Sequence, residues 1–317
     1  MQPILKLGSR GSPLALAQSR LTRALLAKHR GIAGADAAKT AFPITRITTT
    51  GDRITDRRLI DAGGKGLFTK EVEQALLDGD IDVAVHSMKD MPVVQPGGLM
   101  LAGFLPREDP REALISKGAA TLQALPEGAR IGTASLRRQA QIQQIRPDCV
   151  VQTLRGNVGT RLEKIGNGDF DATFLAYAGL KRLGLADKAS GIIEADEMLP
   201  APAQGAIGLQ VREGDAAAVQ ALMSILCAQT AIRLSAERAF LAALDGSCRT
   251  PIAALAEING ETLRFRGAVY TPDGTKSWAC DVTMVLGQHP LKSAANLGEK
   301  EGKAIAALAK DLIRWDG

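Results

Sequence analysis

Five short loops hold the residues with the most chemical potential. They are Gly8-Ser9-Arg10-Gly11-Ser12, Ala62-Gly63-Gly64-Lys65-Gly66, His86-Ser87-Met88-Lys89-Asp90, Thr133-Ala134-Ser135-Leu136-Arg137-Arg138 and Leu154-Arg155-Gly156-Asn157-Val158-Gly159-Thr160-Arg161. Each combines small residues with at least one cation or hydroxyl. Small residues let a backbone approach a ligand closely, and the N–H groups that open a helix favour anions. Arginine's planar fork adds bidentate pairing with carboxylates or phosphates. A lone loop arginine is ordinarily a solvated surface charge. Five such loops in one chain point instead to a small molecule that carries several anionic groups. The chain has no GxxxxGK[ST], and its Gly-rich loops contain no GxGxxG, so the familiar nucleotide fingerprints are absent.

Two further residues have types suited to covalent or proton chemistry. Cys248 sits in Gly246-Ser247-Cys248-Arg249-Thr250-Pro251, where flanking Gly246 and Arg249 are expected to expose the sulfur and favour its thiolate, as a nucleophilic or covalently modified thiol requires. Cys149 and Cys280 lie in strand-like stretches and Cys227 near a helix end, so these three read as packing residues. No CxxC pair exists, which argues against zinc and against a disulfide framework; no metal is expected. Asp90 follows a short apolar strand and stands next to Lys89. On spacing alone it is an ion-pair member; among many cations it becomes the group that stabilises a developing positive charge or moves a proton. None of His29, His86 and His289 pairs evidently with a cysteine, so a protease-type dyad is not expected.

Alternating strands and helices position these loops. Ile4–Leu7 reads as a strand, and Ser12-Pro13 then gives an N-cap and a proline at the first helical position. Ile44–Thr50 and Ile81–Val85 read as strands, with a helix over Leu67–Asp78 that ends at Gly79. A second set follows Pro110: strands at Ala113–Ile115, Arg130–Gly132, Cys149–Leu154 and Asp171–Ala176, and helices at Ser135–Ile145 and Val158–Ile165. This alternation predicts mainly parallel sheets with crossover helices, whose ligands bind at the carboxyl ends of the strands. The last third differs. A helix over Ala231–Leu244 precedes three strands, Ile252–Ile258, Thr262–Tyr270 and Ser277–Val285, joined through Asn259-Gly260 and Pro272-Asp273-Gly274. An alanine-rich helix over Ala294–Trp315 closes the chain. The fold class is therefore α/β with a small α+β C-terminal domain built on an antiparallel sheet.

The 317 residues allow two or three domains. The net charge of +5 could suit a nucleic acid. With aromatics at only 3% and basic residues scattered singly or in pairs, a small anionic ligand fits better, and no nucleic-acid partner is expected. The N-terminal apolar stretch is too short for a signal peptide, and no run of about 18 apolar residues occurs, so a cytoplasmic location without membrane association is expected. The residues alone leave three readings open: an enzyme acting on a polyanionic small molecule, a binding protein, and an anion-binding transferase with another substrate.

The motifs taken together resemble the porphobilinogen deaminase (hydroxymethylbilane synthase) family of tetrapyrrole biosynthesis. The resemblance is dense at Ser12–Gln18, Gly63–Phe68, Val85–Asp90, Ser135–Gln139, Leu154–Arg161, Ala178–Gly184 and Gln204–Ala206, and it runs along nearly the whole chain. It implies three domains: 1–105 with 206–224, 106–205, and 225–317. The first two are like a type II periplasmic-binding-protein pair around a cleft, and the third carries the cofactor cysteine. It also implies the reaction, in which four porphobilinogens join head to tail, with loss of four ammonias, on a covalent dipyrromethane primer held through Cys248. The product is linear hydroxymethylbilane. By the same resemblance Asp90 is the catalytic carboxylate, facing the pyrrole N–H groups of an azafulvene cation. Ser87, Lys89, Thr133, Ser135, Arg137, Arg138, Arg155, Gly156, Asn157 and Gln204 fall at cofactor-binding positions. Arg10, Ser12, Lys65, Arg161 and Arg182 fall at positions for substrate, with Lys65 in a lid loop, and the implied assembly is a monomer. Asp61 stands where some members have lysine, and many members carry a second glycine before the cysteine and an uncharged residue after it. Neither departure removes a group that the chemistry requires.

Overall fold

The structure, a computed structural model, describes residues 2–53, 66–244 and 250–309. In chain order its strands are β1 (Leu7–Arg10), β2 (Ile44–Ile47), β3 (Val83–Ser87), β4 (Leu99–Phe104), β5 (Glu112–Ser116), β6 (Arg130–Gly132), β7 (Val150–Gln152), β8 (Ala172–Ala176), β9 (Gly191–Ile193), β10 (Ile207–Arg212), β11 (Ile252–Asn259), β12 (Thr262–Tyr270) and β13 (Ser277–Val285). The helices are α1 (Pro13–His29), α2 (Ala35–Ala41), α3 (Thr50–Arg53), α4 (Lys70–Leu77), α5 (Leu136–Ile145), α6 (Val158–Asn167), α7 (Tyr177–Arg182), α8 (Ala216–Leu222), α9 (Ala228–Ala243) and α10 (Pro290–Ala309). Contacts group the chain into two compact units. One is 1–107 with 206–230, and the other is 108–205 with 231–317.

The first unit holds a five-stranded sheet of order β2-β1-β3-β10-β4. Strands β2, β1 and β3 are parallel, whereas β10 runs antiparallel to both its neighbours. Apolar residues point to both faces, as a sheet covered on both sides requires. Leu7, Val83, Val85, Ile207, Leu209 and Val211 pack with Leu26 of α1 and Phe42. On the other face, Ile81, Ala84 and Leu99 pack with Val72 and Leu76 of α4.

The second unit contains an α/β sheet of the same plan, ordered β7-β6-β8-β5-β9. Here β7, β6 and β8 are parallel and β5 is the antiparallel member. The strand that enters this unit, β5, and the strand that re-enters the first, β10, thus occupy the same place in their sheets. Each sheet is mixed, where alternation alone predicted mainly parallel pairing. The reason is that the chain crosses between units through these two strands. Leu114, Ile131, Ile142 and Phe174 form the core under α5, and Ala113, Ile115, Ile165, Leu175 and Leu180 form that under α6 and α7.

The antiparallel sheet β11-β12-β13 belongs to the second unit. One face carries Phe265, Leu263 and Val269 against Phe240 of α9 and Ile305 of α10. The rings of Phe240 and Phe265 meet edge to face at 5.2 Å. The other face brings Ala253, Ala268 and Tyr270 onto Ala140 of α5. Three polar links tie it to the middle of the chain: Arg266 with Asp196, Ala254 N to Pro200 O at 3.1 Å, and Gln144 Nε2 to Ser277 Oγ at 3.0 Å. Helices α9 and α10 cross closely because Gly298 has no side chain; a Cβ there would lie 2.0 Å from Ala236 O.

Candidate functional site

In the first unit, the carboxyl ends of β1 and β3 and the start of α1 surround one concavity. Its lining includes Arg10, Ser12, Gln18, Phe68, Thr69, His86, Ser87 and Asp90. Local sequence explains the placement. Ser12 caps α1, its hydroxyl accepting from Ala15 N at 3.3 Å, and Pro13 occupies the first helical position. Arg10, at the end of β1, lays its guanidinium 3.9 Å from the centroid of the Phe68 ring. Asp90 and Lys89 lie in a single 3-10 turn, Met88–Asp90, directly after β3. The turn is fixed from behind by Met88, which is buried and donates its N–H to Ala206 O at 3.1 Å.

Sequence reasoning gave no site role to two neighbours in this concavity. Gln18 is buried, and its Nε2 has no hydrogen-bond partner. The signal for it was the buried stripe of α1, in which Gln18, Ser19 and Thr22 replace apolar residues. His86 is also buried, with Nε2 3.0 Å from Gln210 Oε1. Gln210 donates through its own Nε2 to Gln95 Oε1 at 2.9 Å and Glu73 Oε1 at 3.4 Å. This orientation of the amide makes His86 Nε2 the donor. Glu73 in turn accepts from Thr69 Oγ1 at 3.1 Å, so the polar chain starts and finishes in the concavity's lining. Burial pulls the pKa of His86 down to about 4; the Gln210 hydrogen bond opposes this and the charge of Arg10 adds to it.

In the second unit, the carboxyl ends of β6, β7 and β8 carry the expected cations. Arg137 and Arg138 are both nearly enclosed, and each meets the fully buried carboxylate of Glu112. Burial lowers the pKa of Arg137, although Glu112 pulls the other way. Arg161 lies near Arg138 and Arg155; burial first, and then those two charges, bring its pKa down to about 10. Its Nε donates to Gly156 O at 3.0 Å. Arg155 has a buried Nη1 without a hydrogen-bond partner. Arg182, in the last turn of α7, donates from Nη2 to Gly205 O at 2.6 Å, while its Nε has no partner. Burial brings Arg182 to about 10 as well, with Glu108 opposing.

The smaller residues of these loops serve the loops themselves. Ser135 caps α5 by accepting from Arg138 N at 3.4 Å, and Thr133 Oγ1 accepts from Ser135 N at 3.1 Å. Asn157 caps α6 through Thr160 N at 3.0 Å. Gly156 has φ +112°, and a Cβ there would meet Thr160 at 2.8 Å, so no other residue fits this turn without strain. Gln204 is buried and donates to Pro110 O at 2.8 Å and Glu112 Oε1 at 3.1 Å. Cys248, Lys65 and Asp61, with Gly246 and Arg249, lie outside the described residues.

The second unit therefore brings Arg161 near Arg138 and Arg155, and its burial and their charges lower its affinity for a proton. Such a group of cations is suited to binding carboxylates. The buried Nη1 of Arg155, which lacks a partner, fits an acid side chain of a dipyrromethane, and the buried Nε of Arg182 fits a further carboxylate. Among the described residues, no cluster of His, Cys, Asp or Glu could hold a metal ion.

Comparison with known proteins agrees with this chemistry. A family model described as "Porphobilinogen deaminase, dipyromethane cofactor binding domain" matches residues 5–220. A second, "Porphobilinogen deaminase, C-terminal domain", matches residues 231–307. A porphobilinogen deaminase from Paracoccus denitrificans (strain Pd 1222) is 53% identical over 277 residues, which are 87% of this chain and 87% of that protein. Among solved structures, an ABC transporter periplasmic substrate-binding protein from Coxiella burnetii has a TM-score of 0.43 at 14% identity, covering 71% of this chain and 93% of its own. A nutrient binding protein from Burkholderia cenocepacia bound to methionine has a TM-score of 0.40 at 13% identity, with coverage of 71% and 93%.

Proposed function

The chain belongs to the porphobilinogen deaminase family, and from that membership we propose how its own residues carry the reaction. The protein is a transferase that condenses porphobilinogen into linear hydroxymethylbilane with loss of ammonia, on a dipyrromethane primer. When bound, that primer supplies the nucleophilic pyrrole carbon at which the chain grows. Cys248 holds it through a thioether.

Each addition breaks the bond between the aminomethyl carbon and nitrogen, and the nitrogen leaves as ammonia. A carbon–carbon bond forms in its place, and the attacked pyrrole carbon loses a proton. Positive charge develops on the incoming ring between these events. Asp90 is the carboxylate in the first unit's concavity, and it stabilises that charge at the ring N–H and helps to move the protons. Arg10 and Ser12, beside Asp90, hold the acid side chains of the incoming porphobilinogen, with Lys65 as a contact from the lid loop. Ser87, Lys89, Thr133, Ser135, Arg137, Arg138, Arg155, Gly156, Asn157 and Gln204 bind or shape the place of the primer. Arg161 and Arg182 meet the carboxylates that accumulate as the chain lengthens.

One observation carries this assignment of the arginines. Arg161 is mostly enclosed, and the charges that perturb it are those of Arg138 and Arg155. Neighbouring, partly buried cations are suited to a ligand that carries several carboxylates. As part of the same reading, the enzyme works as a cytoplasmic monomer in three domains, 1–105 with 206–224, 106–205 and 225–317. Among the described residues, no single helix is long and apolar enough to cross a membrane.

Intact-protein mass spectrometry tests the proposal. Protein from cells that make porphobilinogen should carry a dipyrromethane-sized excess mass, and Cys248→Ala should lack it. A folded wild-type protein of unmodified mass would overturn the reading.

A further inference from the structure

We propose that Glu112 is a positioning residue for the carboxylate-binding arginines, an inference that rests on the reading above. Glu112 stands at the start of β5 and is fully buried. Its Oε1 accepts from Arg137 Nη2 at 2.6 Å and from Gln204 Nε2 at 3.1 Å, and its Oε2 accepts from Arg138 Nη2 at 2.8 Å. Arg137 and Arg138 are consecutive on α5, where neighbouring side chains project about 100° apart. Only a group with two outward-facing acceptors can tie both guanidinia at once. A carboxylate has them; the amide of glutamine would present an NH₂ to one of the two arginines.

Each arginine is held on a second side as well. Arg137 Nη1 donates to Leu199 O at 2.8 Å, and Arg138 Nη1 donates to Phe174 O at 2.8 Å. Glu112 and these carbonyls together fix where the charge of Arg138 stands, and that charge acts on Arg161. The buried carboxylate therefore sets the geometry of the cations that face the acid side chains, and it offsets one of the four positive charges of Arg137, Arg138, Arg155 and Arg161. None of this requires Glu112 to touch a ligand. Gln204, through its bond to Glu112, belongs to the same arrangement.

Glu112→Gln and Glu112→Asp separate this role from a merely structural one. Both variants and the wild type are purified from cells that make porphobilinogen, their folding is checked by circular dichroism, and the dipyrromethane-loaded fraction is read from intact mass. The expected result is a folded Glu112→Gln with loading reduced about tenfold or more, as the loss of one buried charge-assisted hydrogen bond predicts. Glu112→Asp keeps both acceptor oxygens and should recover most of the loading. Three results overturn the proposal: Glu112→Gln that loads like the wild type, Glu112→Asp that loads as poorly as Glu112→Gln, or Glu112→Gln that does not fold. An unloaded wild type would overturn the functional reading itself, and the proposal with it.

Discussion

Acid offers a direct test of the first unit, because His86 there is held neutral. Its ring is buried, its Nε2–H donates to Gln210, and its pKa falls to about 4. In the unfolded chain a histidine titrates near pH 6.5. Between these values the unfolded state binds the proton and the folded state does not. Stability is therefore complete above the unfolded value and is lost as the pH falls toward the folded one. The difference between 6.5 and about 4 corresponds to about 3 kcal/mol at the acid limit, of which about 2 kcal/mol is gone by pH 5. Urea unfolding between about pH 7.5 and pH 5 measures it in the wild type and in His86→Gln, which keeps an amide donor for Gln210 but cannot titrate. The variant should be the less stable protein near neutrality and should lose about 2 kcal/mol less on acidification. Two curves that stay parallel across this range would refute the argument, since the pH dependence would then arise elsewhere.

Two other outcomes are expected. Asp90→Asn should keep the dipyrromethane mass but lower turnover about a hundredfold or more, read as ammonia release; a loss of less than about tenfold would remove Asp90 from the proton and charge chemistry. Gly298→Ala should destabilise the protein by roughly 1–3 kcal/mol in a thermal melt, because its methyl would lie 2.0 Å from Ala236 O. Gly287→Ala is the control, with nothing within 4 Å of the new methyl. Equal melting of the two variants would contradict the close crossing of α9 and α10.

The sequence exposes those parts of the fold whose causes are local. Asn259-Gly260 and Pro272-Asp273-Gly274 are turn chemistry, and the three C-terminal strands lie within a residue of where these turns predict them. Ser12-Pro13 and Ser135 mark helix starts for the same reason. Strands β4, β9 and β10 escape such reasoning. Leu99–Phe104 has no clean alternation, and Ile207–Arg212 takes its partners from residues 84–87 and 99–104. A pairing across such separations leaves no mark in a short window. The candidate site divides in the same way. Loops rich in glycine and arginine announce Arg10, Arg155 and Arg161. Neither Glu112 nor Gln18 announces its burial in the sequence; Glu112 is explained by the side chains of Arg137, Arg138 and Gln204, which reach it from distant segments. Asn157 and Ser135 accept backbone N–H groups at the starts of α6 and α5, a local role of the kind a sequence signals.

The antiparallel strand β10 separates β3 from β4, yet it is synthesised after the whole of β5 to β9. At ribosomal speed the intervening stretch takes roughly 5 to 20 seconds to emerge. During that interval β3 and β4 each offer an unpaired edge, a template for pairing with other chains. The second α/β sheet has all its strands by then and can close first. The nascent chain thus completes its inserted portion before its opening portion. Chaperone demand should be concentrated in the interval before Ile207–Arg212 appears. Gln210, the hydrogen-bond partner of His86, lies on this same late strand, so the first unit acquires its buried polar chain only after its insert has been made.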